Sequence, residues 1–259
     1  MLALLIALTG PCQVVPLSDL LEEATDAIFR VHSPGQGPSG TGFLVRKNPG
    51  PGQQPKVVLV TAAHVLDGIS GPEARLVLRS RDAMGGYSRL ETTVALRREG
   101  RPLFNKLNGV DVAALTVSLP AGAHARPFPL ESVLDGEEKS ARVLRLGKDA
   151  WIPSYPAKAE SNTAGQPVLR RGSVASQPFL RTPKSNTFLV DVSAFGGDSG
   201  APVVLLENGK PMVSGLVMGM LRETDRSVTP FEEKVTHMPL GISIVIHGRF
   251  VRQAVEMAD

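Results

Sequence analysis

The sequence predicts an all-β fold, either a sandwich or a pair of barrels, and three observations carry that expectation. Short runs rich in Val, Ile, Leu and Thr recur from about residue 26, each bounded by Gly, Pro, Asn or Ser, which is how strands and turns read. Little helical periodicity separates them, and 26 glycines with 21 prolines supply turn residues throughout. Pro120-Ala-Gly-Ala-His-Ala-Arg-Pro-Phe-Pro129, followed by charged residues to Lys139, leaves six predicted strands before it and six after.

In chain order, residues 1–25 come first. Met1-Leu-Ala-Leu-Leu-Ile-Ala-Leu-Thr-Gly10 resembles the apolar region of a secretory leader, but no Lys or Arg precedes it and no clear small-x-small cleavage site follows. Residues 1–25 are expected to be a leader, and the protein exported to the periplasm, the envelope or the medium. Cys12 follows Pro11, where lipidated leaders carry Gly, Ala or Ser, so it reads as an unpaired thiol of that segment. Strands are predicted at 26–32, 41–47, 56–61, 74–80, 90–97 and 111–117, making a first half over about 26–119. A linker of about 120–140 leads to strands at 141–147, 166–175, 187–192, 201–206, 211–219 and 239–246, a second half over about 141–246. Phe250, Val251, Ala254, Val255 and Met257 recur at near-helical spacing, so a helix over about 247–258 closes a domain spanning 26–258.

Composition excludes several functions. A net charge of +3 comes from scattered Lys and Arg, with only the isolated pairs Arg97-Arg98 and Arg170-Arg171, so no nucleic-acid partner is expected. One cysteine permits no intrachain disulfide. The five histidines, His32, His64, His124, His237 and His247, show no metal-ligand spacing, and no glycine-rich phosphate loop is present. Neither metal nor cofactor is expected, and no membrane span follows the leader.

Three segments carry chemistry together. Thr61-Ala-Ala-His64-Val follows an apolar strand, Gly109-Val-Asp111-Val-Ala-Ala-Leu115 opens another, and Gly196-Gly-Asp-Ser199-Gly-Ala-Pro-Val is a tight loop entering a third. Singly each has a structural reading: a packed histidine, a turn aspartate, a plain turn. Jointly they supply a hydroxyl nucleophile, a base that titrates near neutrality and a carboxylate to hold it. An α/β-hydrolase elbow fits less well, because Ala201 breaks Gly-x-Ser-x-Gly and His237 or His247 would have to be the base.

Ser39-Gly-Thr-Gly-Phe-Leu-Val45 leading to Thr61-Ala-Ala-His64, then Val110-Asp111-Val-Ala-Ala-Leu, then Gly197-Asp-Ser199-Gly resembles the trypsin-like serine peptidases, in their bacterial, disulfide-free form. The resemblance covers about residues 26 to 258. It implies two six-stranded antiparallel β-barrels with a C-terminal helix, chymotrypsin-like, with the active site in the cleft between them. It implies a serine endopeptidase in which His64 takes the proton of Ser199, Asp111 holds the imidazole, and the N–H groups of Gly197 and Ser199 form the oxyanion hole. A catalytically silent relative that only binds peptides is the alternative. With no appended peptide-binding module, a monomer acting on peptide or protein substrates is expected.

No Ile-Val-Gly-Gly segment precedes the first strand, which leaves Asp198 without the ammonium partner used by the digestive branch. In some bacterial relatives a strand Arg takes that place, and the resemblance points to Arg145. The primary specificity pocket would have Ser193 and Ala194 at its base, Met218, Gly219 and Met220 as its wall and Gly241 opposite. None is charged, which implies cleavage after uncharged residues of small to medium size.

Overall fold

The computed structural model describes residues 15–35, 37–48, 54–177, 185–229 and 231–258. Its elements are α1 (Leu17–Thr25), β1 (Ile28–His32), β2 (Ser39–Lys47), β3 (Lys56–Thr61), α2 (Ala63–Gly68), β4 (Glu73–Arg81), β5 (Tyr87–Ala95) and β6 (Arg97–Arg98). There follow β7 (Arg101–Pro102), β8 (Asn105–Lys106), β9 (Ala113–Val117), β10 (Phe128–Pro129), α3 (Glu138–Val143), β11 (Asp149–Ser154) and β12 (Val168–Ser173). The chain ends in β13 (Thr187–Val190), β14 (Pro202–Glu207), β15 (Lys210–Val228), β16 (Glu233–His247) and α4 (Gly248–Met257).

Two sheets form barrel-like halves. The first runs β5-β4-β1-β2-β3-β9-β8 with β10 added in parallel to β2, and the second runs β12-β11-β14-β15-β16-β13. Six long strands make each half, and the two-residue pieces β8 and β10 bring the first sheet to eight. β2 is buried along most of its length, which small residues allow: a Cβ on Gly42 would lie 2.8 Å from the side chains of both Leu59 and Val31. Phe29, Phe43 and Tyr155 are among the largest fully buried side chains. Burying a side chain of that size contributes roughly 1.5–3 kcal/mol. α4 lays Val251, Ala254 and Val255 into the core shared with the first sheet, and the Lys47 ammonium donates to the carbonyls of Glu256 and Ala258 at its end.

Three expectations change. Residues 141–147 are not a strand: α3 occupies Glu138–Val143, a turn follows, and the strand is β11 at 149–154. Pro153 lies within that strand, opposite Leu169 on β12. The folded body also starts before residue 26, because α1 buries Leu20, Leu21 and Ala24 while Asp19, Glu22 and Glu23 face solvent. That leaves only residues 1–14, with Cys12, as leader candidates, and these lie outside the described residues. β15 and β16, lastly, are far longer than 211–219 and 239–246: from Arg222 to Val228 and Glu233 to Pro239 they pair only with each other, as a ribbon leaving the sheet. The expected linker is fastened at both ends of its path, with Phe128 opposite Val45 and Val133 bridged to Val213.

Arg79 of β4 lies fully buried between the halves. Its guanidinium donates to the carbonyls of Thr25 and Ile28 on one side, to the Tyr155 hydroxyl and the Gly165 carbonyl on the other, and stacks 4.8 Å over the Phe29 ring.

Candidate active site

β3 and β9 are neighbours in the first sheet, with Thr61 opposite Ala113, so the residues just beyond one and just before the other meet. His64 is the second residue of α2, entered through an extended Ala62, and Asp111 stands two residues before β9. The Asp111 carboxylate accepts from His64 Nδ1 at 2.6 Å with one oxygen and from the His64 backbone N–H at 2.9 Å with the other. The ring is thereby fixed, and Nε2 is left to accept a proton. The hydrogen bond to Asp111, against partial desolvation and helped by the charges of Asp111 and Asp67, holds the imidazole pKa above its usual 6.5.

Ser199 lies in the loop that enters β14. Gly197 and Gly200 on either side have φ of +101° and +88°, the left-handed region. Side chains there would also collide: a Cβ on Gly197 meets the Tyr155 carbonyl, and one on Gly200 meets the Thr41 carbonyl and the Thr61 hydroxyl. The loop is thus packed onto β2 and onto the end of β3 that leads to His64. Ser199 is half-buried, and its hydroxyl donates to the Met218 carbonyl at 3.4 Å rather than to His64. That carbonyl is available because β15 bulges at Met218, between the Val217–Val245 and Gly219–Ile244 pairs. The backbone N–H groups of Gly197 and Ser199 have no protein acceptor among the described residues.

Asp198 is 1% exposed and is paired, but with Arg170 and not with Arg145. Arg170 Nη2 lies 2.7 Å from Asp198 Oδ2, donates to Ser154 Oγ at 3.0 Å, and its partner nitrogen reaches the Ser193 carbonyl. The Phe195 N–H also donates to Asp198 Oδ2, at 2.6 Å. Arg145 stands exposed in the turn after α3, since the strand expected to carry it begins only at Asp149. Arg170, dismissed by charge pattern as half of an isolated basic pair, turns inward from β12 opposite Ile152 while Arg171 turns outward to Asp149. Strand alternation was the available signal.

Of the expected pocket residues, Ser193 is exposed and Ala194 buried, and a Cβ on Gly241 (φ +77°) would lie 3.6 Å from Ser193 Oγ, which sets these two face to face. Met218 packs on the core of the first sheet and Met220 on that of the second, while Gly219 between them has open space at its Cβ position. Sequence reasoning missed Thr41, whose fully buried hydroxyl bonds the Gly197 carbonyl at 2.7 Å, and Tyr155, whose segment underlies the loop. Among the described residues no group of three or more His, Cys, Asp or Glu is placed to hold a metal, and no helix is long and apolar enough to cross a membrane.

Comparison with solved structures finds human heparin binding protein, with a TM-score of 0.53 at 12% identity, covering 89% of this chain and 90% of that one. At that identity the likeness establishes the fold, which is chymotrypsin-like. No curated protein matches the sequence. A profile of the trypsin-like peptidase domain matches residues 40–215, which takes in His64, Asp111 and Ser199, and the chain belongs to that family.

Proposed function

We propose that the protein is a serine endopeptidase that forms an acyl-enzyme on Ser199. The observation that carries this reading is the His64–Asp111 pair: a carboxylate bound at once to Nδ1 and to the backbone of the same residue, leaving Nε2 to accept a proton. In this reading the Ser199 hydroxyl must leave its weak 3.4 Å bond to Met218 to meet Nε2, a side-chain motion of picoseconds to nanoseconds in a partly exposed residue. His64 takes the proton as Oγ adds to the substrate carbonyl, and Asp111 stabilises the imidazolium. The free N–H groups of Gly197 and Ser199 receive the oxyanion, each such donor contributing about 3 kcal/mol in the transition state. His64 then gives its proton to the departing amine, and water repeats the sequence on the ester.

Uncharged Ser193, Ala194, Met218, Gly219, Met220 and Gly241 support cleavage after Ala, Val, Leu or similar residues. The nearby Arg170 does not alter this, because its charge is matched by Asp198. The apolar run within residues 1–14 supports work outside the cytoplasm. The Met218-bound rotamer of Ser199 favours a second reading, a peptide-binding relative without turnover. Labelling with a fluorophosphonate probe separates the two: the enzyme is modified at Ser199 and loses labelling in Ser199→Ala, whereas a probe that leaves the wild-type protein unlabelled overturns the peptidase reading.

A further inference from the structure

We propose that Thr41 is a positioning residue that sets the alignment of the Gly197–Ser199 loop through its side-chain hydroxyl; the inference rests on the serine peptidase reading. Every carbonyl of the loop is held. Gly196 accepts from the Ala157 N–H at 2.6 Å and Asp198 from the Ala201 N–H at 2.9 Å, while the Gly197 and Ser199 carbonyls are both bound by Thr41, through Oγ1 at 2.7 Å and N–H at 2.9 Å. A trans peptide is rigid and its N–H points opposite its C=O, so the Gly196 and Asp198 anchors orient the N–H groups of Gly197 and Ser199 directly, while the Thr41 hydroxyl fixes the Gly197–Asp198 peptide that joins those two.

Three of the four anchors are backbone groups, indifferent to side-chain identity. The fourth is a hydroxyl, and it works in both directions: Thr41 Oγ1 donates to Gly197 and accepts from the Tyr155 N–H at 3.2 Å. The Thr41 carbonyl in turn accepts the Thr61 hydroxyl at 2.7 Å, three residues before His64. One buried residue of the first sheet therefore joins the nucleophile loop, the segment beneath it and the strand that ends at the base.

Valine matches threonine in shape and supplies neither bond. In Thr41→Val the Gly197 carbonyl and the Tyr155 amide lose their partner in a buried site, and the Gly197–Asp198 peptide is free to turn. The loss falls on the transition state, where the oxyanion needs the loop aligned, and not on ground-state binding of the peptide.

The test uses the full chain and compares Thr41→Val, Thr41→Ala and Thr41→Ser, each checked for native circular dichroism, with rates per active site titrated by fluorophosphonate. We expect kcat to fall 10- to 100-fold in the Val and Ala variants with KM within twofold, Ki for a peptide boronic acid to rise in parallel, and Thr41→Ser to stay within threefold of wild type. A Val or Ala variant with kcat within threefold of wild type, a loss confined to KM, or a Ser variant as impaired as Val overturns the proposal. So does failure of both hydroxyl-free variants to fold while the Ser variant folds, which would make the role structural. Wild-type protein that neither hydrolyses peptides nor labels overturns the peptidase reading itself, and this inference with it.

Discussion

Arg170 and Asp198 form a buried ion pair, Nη2 to Oδ2 at 2.7 Å, that joins β12 to the loop immediately before Ser199. Removing one partner of such a pair strands a charge in low dielectric, at a cost of about 3–5 kcal/mol. Arg170→Met should lose that much stability in urea denaturation, together with most of its activity. Arg145→Met, altering an exposed turn residue, should match wild type in both measurements. Equal stability of Arg170→Met and wild type would show that the pair does not hold the loop.

The second expectation concerns pH. Only neutral His64 accepts the serine proton, and Asp111 raises its pKa, so the acid limb of kcat/KM should lie above the unperturbed 6.5. Activity rises with pH through that limb. A midpoint below 6.5, or a flat profile from pH 5 to 9, would exclude His64 as the base.

Asp111→Asn keeps the size of the side chain but offers Nδ1 an amide that cannot stabilise the imidazolium and favours the wrong tautomer. The rate should fall about 10⁴-fold. Thermal unfolding should change far less than the rate, because Asp111 is partly exposed and the substitution leaves no cavity.

His247, buried before α4 against the Phe188 ring, has its pKa lowered to about 4 by burial, with Arg249 adding to the effect. Its folded pKa lies below the unfolded 6.5, so the unfolded chain binds the extra proton and stability falls as pH drops from 6.5 through about 4. At 1.36 kcal/mol per pH unit the full contribution is about 3 kcal/mol. His247→Gln should flatten the stability profile in that window, read by denaturant midpoints at pH 4.5 and 7.

The distal ribbon concentrates Val228, Phe231, Val235, Met238 and Leu240 among the exposed large apolar residues. Replacing residues 224–237 by an Asn-Gly turn between Glu223 and Met238, which already face each other, should preserve the fold within about 1 kcal/mol and reduce self-association at high concentration. Light scattering reads the second effect. A truncated protein that fails to fold would assign the ribbon to the core.

Much of this was legible in the sequence because it is written locally. Alternation and turn residues give the strands of the first sheet; Thr61-Ala-Ala-His64 and Val110-Asp111 each abut a strand, and those strands pair. What resisted reading was contact between distant segments. Thr41 bonds residues more than a hundred positions away, and nothing in Gly-Thr-Gly announces it. Arg145 and Arg170 both fall within predicted strands, and only the observed path of the chain, with β11 at Asp149–Ser154 and Arg170 on its partner β12, decides which one faces Asp198. The amphipathic α1 was masked by the apolar run ahead of it, and the extent of β15 and β16 by their polar composition past Met220, where each needs only the other as partner.

Arg79 bears on how the molecule comes apart. Its four acceptors come from the end of α1, the start of β1, Tyr155 and the turn at Gly165, that is, from both halves. Undocking the halves would break the bonds to Tyr155 and Gly165 and strip the guanidinium of half its acceptors. Partial separation is therefore penalised, and the two barrels should melt in a single cooperative transition rather than one after the other.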